Sequence, residues 1–317
     1  MDVVTCGELL VDFVASVPGA TLVQAPAFEK AAGGAPANVA VGLARLGHFT
    51  GFLGQVGDDD FGRFLAGVLT ENGVDTGGLR FSPEARTALA FVSLRAGGER
   101  DFLFYRHPSA DMRWRAGPAD LAYAAAPRVF HFGSISLSHE PSRASTLAAV
   151  AAAADAGALI SYDPNLRLPL WPSAAAAREG IGLGLARTQL VKLSAEELVF
   201  LTGESDIAAG VRALWQPRFQ LVTVTRGAAG AAWFSATASG GAPGFPVTAV
   251  DTTGAGDSFV AGLLAGLLEA GLRLDPDAIA RAVRLGNAAG ALTTTRRGAI
   301  PALPTRAAVE RLLEDGS

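Results

Sequence analysis

Short runs of β-branched and aromatic residues alternate along this chain with stretches of helical periodicity, and this alternation restricts the fold more than any other feature. A strand at 3–6 precedes a helix at 36–46. Further strand and helix pairs are predicted at 51–53 with 61–71, at 129–132 with 142–156, and at 159–162 with 174–185, before a strand at 221–224. Repeated βα units pack as a parallel sheet with helices on both faces. We therefore predict an α/β protein with a mostly parallel central sheet.

Two segments break this alternation. Residues 87–105 have the pattern of a hairpin, with strands at 88–94 and 102–105 and a turn that contains Gly97 and Gly98. Residues 10–30 have no helical period and are predicted to pair with that hairpin. The resulting small sheet would project from the strand ends, where open α/β sheets bind their ligands. We predict one domain over residues 1–317, with a lid formed by about residues 10–32 and 86–110.

Charge and cysteine content narrow the class of protein. The formal net charge is −4 and no long basic run occurs, so neither nucleic acid nor an anionic membrane is an expected partner. A single cysteine, Cys6, excludes an internal disulfide and indicates a reducing compartment. The first residues lack the basic region of a secretory signal, and the uncharged interval 228–250 is rich in Gly, Pro, Ser and Thr rather than typical of a membrane span. We expect a cytoplasmic protein that acts on a small molecule.

The segment Asp251-Thr252-Thr253-Gly254-Ala255-Gly256-Asp257-Ser258-Phe259 is the strongest chemical signal, and an apolar helical run follows it. A turn of small residues at a helix start can direct several backbone N–H groups at one anion, such as a phosphate. A carboxylate there would repel phosphate, so Asp257 makes most sense as a base for the nucleophile that attacks the phosphate. An ordinary glycine-rich turn with a capping aspartate is the alternative.

A second segment, Ala32-Gly33-Gly34-Ala35-Pro36-Ala37-Asn38, has paired glycines before a proline suited to the first turn of a helix. It indicates either recognition of a polar ligand or a tight connection from strand to helix. Asp12, Asn38 and Arg106 could hydrogen-bond several hydroxyl groups of such a ligand, although the sequence does not bring them together.

On these two segments the chain resembles the ribokinase, or PfkB, family of sugar kinases. The first family signature matches 33–40, with Gly47 and Gly57 at the later spacings, and the second matches 251–264. Residues 42–47, 87–92, 104–106 and 161–172 are similar to the fructokinases of plants and bacteria. The resemblance implies a ribokinase-like three-layer fold with a small β-sheet lid. It also implies an ATP-dependent fructokinase that transfers the γ-phosphoryl group to O6 of D-fructose.

The resemblance assigns roles to individual positions. Asp257 matches the catalytic base, and Gly254, Ala255 and Gly256 match the anion hole. The sugar-binding positions are Asp12, Gly33, Gly34, Asn38, Arg106 and Arg167, the two arginines lying near the sugar or the transferred phosphoryl group. The nucleotide-binding positions are Lys192, Thr225, Gly227 and Asn287. A surface ion pair is the alternative role for each arginine.

The resemblance also implies Mg²⁺ and K⁺. The family often has Asn-x-x-Glu near its magnesium site, whereas Ser194-Ala195-Glu196-Glu197 stands here, so Glu197 is expected to act on Mg²⁺ through water. An acidic residue in the first turn of a helix is the alternative reading of Glu197. The backbone at Asp251 and Thr253, together with 293–298, matches the region where relatives bind potassium.

Three other functions compete with this interpretation. A 2-keto-3-deoxygluconate kinase is the nearest, because Arg106 and Arg167 could pair with the carboxylate of a sugar acid. A noncatalytic sugar- or nucleotide-binding regulator could share the fold. A dinucleotide-dependent oxidoreductase is disfavoured, since Cys6-Gly7-Glu8-Leu9 stands where Gly-x-Gly-x-x-Gly would follow the first strand. A homodimer that pairs through the lid is expected, because a small projecting sheet gains stability from a second copy.

Overall fold

The computed structural model describes residues 1–17, 19–94 and 100–315. The strands are β1 (Val3–Cys6), β2 (Leu10–Ala15), β3 (Phe28–Gly33), β4 (Thr50–Gly57), β5 (Asp75–Ser82), β6 (Leu89–Leu94), β7 (Arg100–Tyr105), β8 (Val129–Gly133), β9 (Leu159–Asp163), β10 (Leu190–Ser194), β11 (Leu221–Thr225), β12 (Ala231–Phe234) and β13 (Ser239–Ala242). The helices are α1 (Ala35–Arg45), α2 (Asp60–Glu71), α3 (Pro118–Ala124), α4 (Ser142–Asp155), α5 (Ala174–Leu185), α6 (Ala195–Thr202), α7 (Ile207–Leu214), α8 (Ala255–Glu269), α9 (Pro276–Thr294) and α10 (Arg306–Asp315). Short 3-10 helices cover Asp111–Arg113, Ile135–Leu137, Leu168–Leu170, Gly227–Ala229 and Ile300–Ala302.

Nine of the described strands form one large sheet, in the order β13-β12-β11-β10-β9-β8-β1-β4-β5. In this order, the strands from β11 through β10, β9, β8, β1 and β4 to β5 are parallel to one another. Strands β12 and β13 add an antiparallel edge next to β11. The central strands are buried on both sides, as β1 and β8 show along their whole lengths. The prediction of a mostly parallel central sheet is confirmed.

Helices cover both faces of this sheet. One core cluster joins the sheet to α4, α5, α6 and α7 through residues such as Val150, Ile181 and Leu198. A second joins the opposite face to α1, α8 and α9 through residues such as Leu43 and Leu264. Helix α8 is apolar around nearly its whole circumference and is buried accordingly. The helix that follows the Asp251–Phe259 segment is therefore fixed from every side.

A separate sheet of four described strands has the order β3-β2-β6-β7. Strand β2 pairs antiparallel with β3 and parallel with β6, and β6 pairs antiparallel with β7. The predicted pairing between the 10–30 segment and the hairpin is thus confirmed, while the predicted turn at Gly97 and Gly98 lies outside the described residues. The interval 228–250 contains β12 and β13 as strands, and no described helix has the length and apolar character needed to cross a membrane.

Several elements have no counterpart among the predictions. Strand β10 was not predicted because a charged residue, Lys192, stands in the middle of its apolar run. Helix α9 carries start signals that could have revealed it, since Asp275 accepts a hydrogen bond from the N–H of Ala278 and Pro276 occupies the first turn. Arg281 and Arg284 interrupt its first half, and its many small residues weaken the pattern of the apolar face that packs on α8.

Candidate active site

A cavity of about 370 Å³ opens where the parallel strands end and their loops meet. Its walls come from the carboxyl ends of β1, β9, β10 and β11 and from the first turns of α1 and α8. Two elements of the small sheet also contribute, β2 through Leu10 and Asp12 and β7 through Phe104. This is the edge at which open α/β sheets bind ligands, because loops from neighbouring parallel strands converge there. The small sheet therefore covers one side of the cavity.

Asp257 lies at the bottom of this cavity, in the first turn of α8, and is 6% exposed. Two amides hold its carboxylate. Asn38 Nδ2 donates to Asp257 Oδ2 at 2.7 Å, and Asn165 Nδ2 donates to Oδ1 at 3.1 Å. Asn38 belongs to α1 and Asn165 follows β9, so residues far apart in the sequence fix both oxygens. The carboxylate keeps one orientation towards the cavity.

The electrostatic surroundings of Asp257 favour a proton acceptor. Burial raises the pKa of this carboxyl to about 6, and the nearby charge of Asp163 acts in the same direction. The hydrogen bond from Asn38 and the positive charges of Lys192 and Arg167 oppose the shift. A carboxylate with a pKa close to neutrality is ionised at pH 7 and takes up a proton more readily than an ordinary aspartate.

Lys192 compensates the buried carboxylates around Asp257. Its ammonium lies 2.9 Å from Asp163 Oδ2, and both side chains are buried. Burial lowers the pKa of Lys192, but the charges of Asp163 and Glu197 outweigh burial and raise that pKa above its ordinary value. A Cβ at Gly256 would lie only 3.1 Å from this ammonium, so the small residue in the helix turn leaves room for it. Lys192 thus sits beside the first turn of α8.

Glu197 uses both carboxylate oxygens to hold backbone. Oε2 accepts from the N–H of Ser194 at 2.7 Å, while Ser194 Oγ accepts from the N–H of Glu197 at 3.1 Å, which forms a capping box at the start of α6. Oε1 accepts from the N–H of Leu166 at 2.7 Å. Burial raises the pKa of Glu197, and Lys192 opposes that shift. Serine in place of the expected asparagine thus serves as the helix cap.

The loop before α8 is tied to the segment that follows α9. Asp251 Oδ1 accepts from the N–H and hydroxyl groups of Thr253, at 2.9 and 2.6 Å, and Oδ2 accepts from the N–H of Gly298 at 2.9 Å. The backbone N–H groups of Val250 and Asp251 donate to the carbonyl of Thr294. The structure therefore brings together the two segments for which the family resemblance implies a monovalent cation. A small cavity of about 20 Å³, near the volume of one water molecule, lies where these segments meet the small sheet at Asp12 and Val14.

A second, more apolar cavity of about 560 Å³ adjoins the first. The two share Thr225, Gly227, Thr252 and Gly256, so they meet at the start of α8. Phe245 and Phe259 supply much of its apolar wall. Asn287 lines it as well, and its side-chain amide donates to the carbonyls of Ala242 and Pro243, both at 3.0 Å.

The structure places most of the predicted sugar-binding residues in the first cavity, but not all of them. Asp12, Gly34, Asn38 and Arg167 line the first cavity. A Cβ at Gly33 would lie 2.2 Å from Asp12 Oδ2, so glycine there leaves space for that carboxylate. Arg106 is instead buried and ion-paired with Asp111.

Three residues of the site were absent from the predicted set. Asp163 accepts from Lys192 and from the backbone N–H of Asn165, the latter at 3.1 Å, and so positions the amide that contacts Asp257. Glu8 lines the cavity, and its Oε1 accepts from the N–H of Ala35 at 3.0 Å. A general signal could have found all three, because Asp163 ends a buried parallel strand and Asn165 and Glu8 each stand two residues after one. Asn165 also has a φ of 44°, a left-handed conformation that asparagine tolerates better than most residues.

Comparison with known proteins shows similarity over nearly the whole chain. The family model described as pfkB family carbohydrate kinase matches residues 1–306. Probable fructokinase-4 of Arabidopsis thaliana is 50% identical over 314 residues, covering 98% of this chain and 96% of that protein. The fructokinase of Xylella fastidiosa with bound ATP has a TM-score of 0.87 at 38% identity, covering 99% of this chain and 98% of that one. The fructokinase of Vibrio cholerae O395 with fructose, ADP and calcium has a TM-score of 0.89 at 39% identity, covering 99% of both chains.

Replacement of Lys192 tests whether its charge holds the buried carboxylates together. Lys192→Met keeps the approximate volume but leaves Asp163 and Glu197 without their cation, so the free energy of unfolding should fall by about 3–5 kcal/mol. Lys30, the other lysine of the chain, is exposed above the ring of Phe64, and Lys30→Met should cost no more than about 1 kcal/mol. Urea titrations of both variants measure the difference. Equal stabilities would contradict the compensating role of Lys192.

Proposed function

The chain belongs to the pfkB family of carbohydrate kinases, and from that premise we propose that it is an ATP-dependent fructokinase that transfers the γ-phosphoryl group to O6 of D-fructose. The similarity to plant and bacterial fructokinases over nearly the full chain supports fructose as the substrate. The bound ATP in the Xylella fastidiosa relative supports ATP as the donor. The products would be D-fructose 6-phosphate and ADP.

The position of Asp257 carries this proposal. Its carboxylate lies in the first turn of α8, where a polar cavity and a more apolar cavity meet. A sugar hydroxyl in the first cavity would lose its proton to Asp257 as it attacks a phosphate that reaches in from the second. Asn38 and Asn165 hold the carboxylate in place and would keep it oriented towards that hydroxyl. In-line transfer needs acceptor and donor to approach from opposite sides, and this arrangement of cavities permits it.

The first turn of α8 supplies positive electrostatic potential for the phosphate that the sugar hydroxyl would attack. The N–H groups at the start of an α-helix have no acceptor within the helix and carry the positive end of its dipole. The turn Gly254-Ala255-Gly256 directs this end towards the junction, and the φ of 77° at Gly254 requires a residue without a Cβ. These amides would stabilise the charge that develops on the phosphoryl oxygens. Lys192 and Arg167 add positive charge from the same walls.

The remaining predicted residues complete the two cavities. Asp12, Gly34 and Asn38 would hold sugar hydroxyls, while Thr225, Gly227 and Asn287 would contact the nucleotide. Glu197 lines the first cavity with its oxygens on backbone N–H groups, so it suits contact with Mg²⁺ through water. Mg²⁺ bound with the nucleotide would neutralise charge on its phosphates. A monovalent cation such as K⁺ would bind near the loop that Asp251 ties to Gly298.

The four-stranded sheet would act as a lid. Leu10, Asp12 and Phe104 project from it into the wall of the sugar cavity, so closure of the sheet would exclude the water that otherwise hydrolyses ATP.

We place the protein in the cytoplasm.

The same sheet supports a homodimer. Phe13 stacks on Phe91, and Tyr105 meets Phe91 edge to face, while Tyr105 and Leu103 remain 58% and 47% exposed. An apolar face of this kind gains stability when a second copy covers it. Sedimentation at assay concentration should therefore give the mass of a dimer, and a fully active monomer would contradict the assignment.

Replacement of Asp257 tests the proposed base. Asp257→Asn should retain the fold and lose about 10²–10⁴-fold in turnover, because the amide cannot accept the proton. In the wild type, kcat/KM should rise with pH through a value of about 6, since Asp257 must be ionised to act and its pKa is raised to that value. The variant should lack this limb of the profile. Asp277→Asn, which changes an exposed aspartate in the first turn of α9, is the matched control and should leave both measurements unchanged. A folded Asp257→Asn enzyme with nearly full activity would refute the assignment.

A substrate panel tests the choice of sugar. In an assay of ATP consumption with Mg²⁺ and K⁺, D-fructose should give a higher kcat/KM than 2-keto-3-deoxygluconate, ribose, glucose or adenosine. Polar groups of a closed site reject an analogue that leaves one of them unpaired. Phosphorus NMR of the product establishes whether O6 is the acceptor, and the Asp257→Asn protein gives the background rate. A higher kcat/KM for the sugar acid would remove fructose as the substrate, and ATP consumption that no sugar stimulates would favour a noncatalytic regulator.

A further inference from the structure

Arg45, the last residue of α1, holds backbone that is far away in the sequence. Its Nη1 donates to the carbonyl of Ile300 at 2.9 Å and to the carbonyl of Leu303 at 2.6 Å. Its Nε donates to Asn72 Oδ1 at 2.9 Å, and Asn72 directly follows α2. The half-buried guanidinium therefore fixes residues 300–303 against the ends of both α1 and α2.

Residues 298–303 lie against the first turn of α8. The N–H of Gly298 donates to Asp251 Oδ2 at 2.9 Å. A Cβ at Gly254 would lie 3.0 Å from the Cβ of Ala299 and 3.1 Å from its Cα, so Ala299 packs directly on the backbone of Gly254. Gly254 lines the first cavity and begins the turn whose N–H groups are proposed to stabilise the phosphoryl oxygens. Because the contact is close-packed, movement of Ala299 would shift that turn or leave it unsupported.

Helix α1 also contacts α8 directly at two points. Asn38 Nδ2 donates to Asp257 Oδ2 at 2.7 Å. A Cβ at Gly42 would lie 2.7 Å from the Cβ of Ala261, so the two helices pack closely there. Arg45 lies about two helical turns beyond Asn38. One helix thus holds the proposed base through Asn38 and supports the proposed phosphate turn through Arg45.

On the basis of the carbohydrate-kinase function proposed above, we propose that Arg45 is a positioning residue for phosphoryl transfer: it holds residues 298–303 against Gly254 and thereby keeps the N–H groups of the first turn of α8 in place. Arg45 is not among the described residues that line the two cavities, so it acts through Ala299. N–H groups aimed at the phosphoryl oxygens stabilise charge that develops in the transition state, so their displacement lowers kcat more than it weakens sugar binding.

Arg45→Met and Arg45→Lys test this role. Methionine removes every donor, whereas lysine keeps the charge but lacks the planar fork of N–H groups that reaches two carbonyls and an amide oxygen together. With D-fructose, kcat should fall about tenfold or more in Arg45→Met and in the same direction in Arg45→Lys, while KM for fructose changes by no more than about twofold. Arg63→Met is the matched control and should keep the wild-type kcat, because Arg63 lies on α2 with its side chain 64% exposed beside Asp58.

A transition-state mimic separates positioning from a general loss of stability. ADP with aluminium fluoride imitates the phosphoryl group between donor and acceptor, so correctly placed N–H groups bind it more tightly than ADP alone. The dissociation constants of both are measured with D-fructose and Mg²⁺ present. The preference for the mimic over ADP should shrink about tenfold in Arg45→Met, while the dissociation constant of ADP itself stays within about twofold of the wild type. A purely structural role would lower the temperature of unfolding and leave that preference unchanged.

Ala299→Gly tests the same contact from the other side and does not depend on the folding of an Arg45 variant. It removes the methyl group that packs on Gly254 and leaves the hydrogen bonds of Arg45 in place, so kcat should fall while KM for fructose is retained. Unchanged kcat and an unchanged preference for the mimic in a folded Arg45→Met enzyme, or wild-type kcat in Ala299→Gly, would overturn the role of Arg45. Wild-type activity on fructose in the same assay separates these results from a failure of the proposed function, which would show as no turnover of fructose.

Discussion

The buried ammonium of Lys192 stabilises the cluster of carboxylates at the candidate active site. Asp163, Glu197 and Asp257 lie within reach of its charge, and all of them are withdrawn from solvent. Without a cation, such a group of carboxylates would take up protons or drive the loops apart, because burial strongly disfavours uncompensated charge. With Lys192 paired to Asp163, the pKa of Asp257 rises only to about 6. The hydrogen bond from Asn38 and the charges of Lys192 and Arg167 together oppose burial and keep Asp257 ionised at neutral pH.

The parallel sheet places Lys192 and its partners together. Lys192 lies in β10 and Asp163 ends β9, and these neighbouring strands run in the same direction. Their side chains therefore meet at one edge, where the chain leaves the sheet in loops. Asp163 then fixes Asn165 through a backbone N–H, and Asn165 reaches Asp257 on α8. A chain of hydrogen bonds connects the sheet edge to the helix that carries the proposed base.

Backbone N–H groups at the site have side-chain partners on other elements. Glu197 holds Leu166 as well as its own helix start, Glu8 holds the first residue of α1, and Asp251 holds Gly298. Each contact joins segments that are distant in sequence and leaves the proposed phosphate turn on α8 to face the cavity.

The sequence by itself determined the parallel sheet, the small sheet and the position of Asp257 at the start of a helix, because strand and helix periodicity and a glycine turn before a helix are local patterns. The segment 251–259 alone placed Asp257 at the start of a helix, and α8 begins at Ala255. The tertiary structure alone decided which charges meet. It paired Arg106 with Asp111, Lys192 with Asp163, and Asn38 and Asn165 with Asp257. These partners lie on different elements or loops, and electrostatic energy depends on distance and burial, neither of which the order of residues specifies.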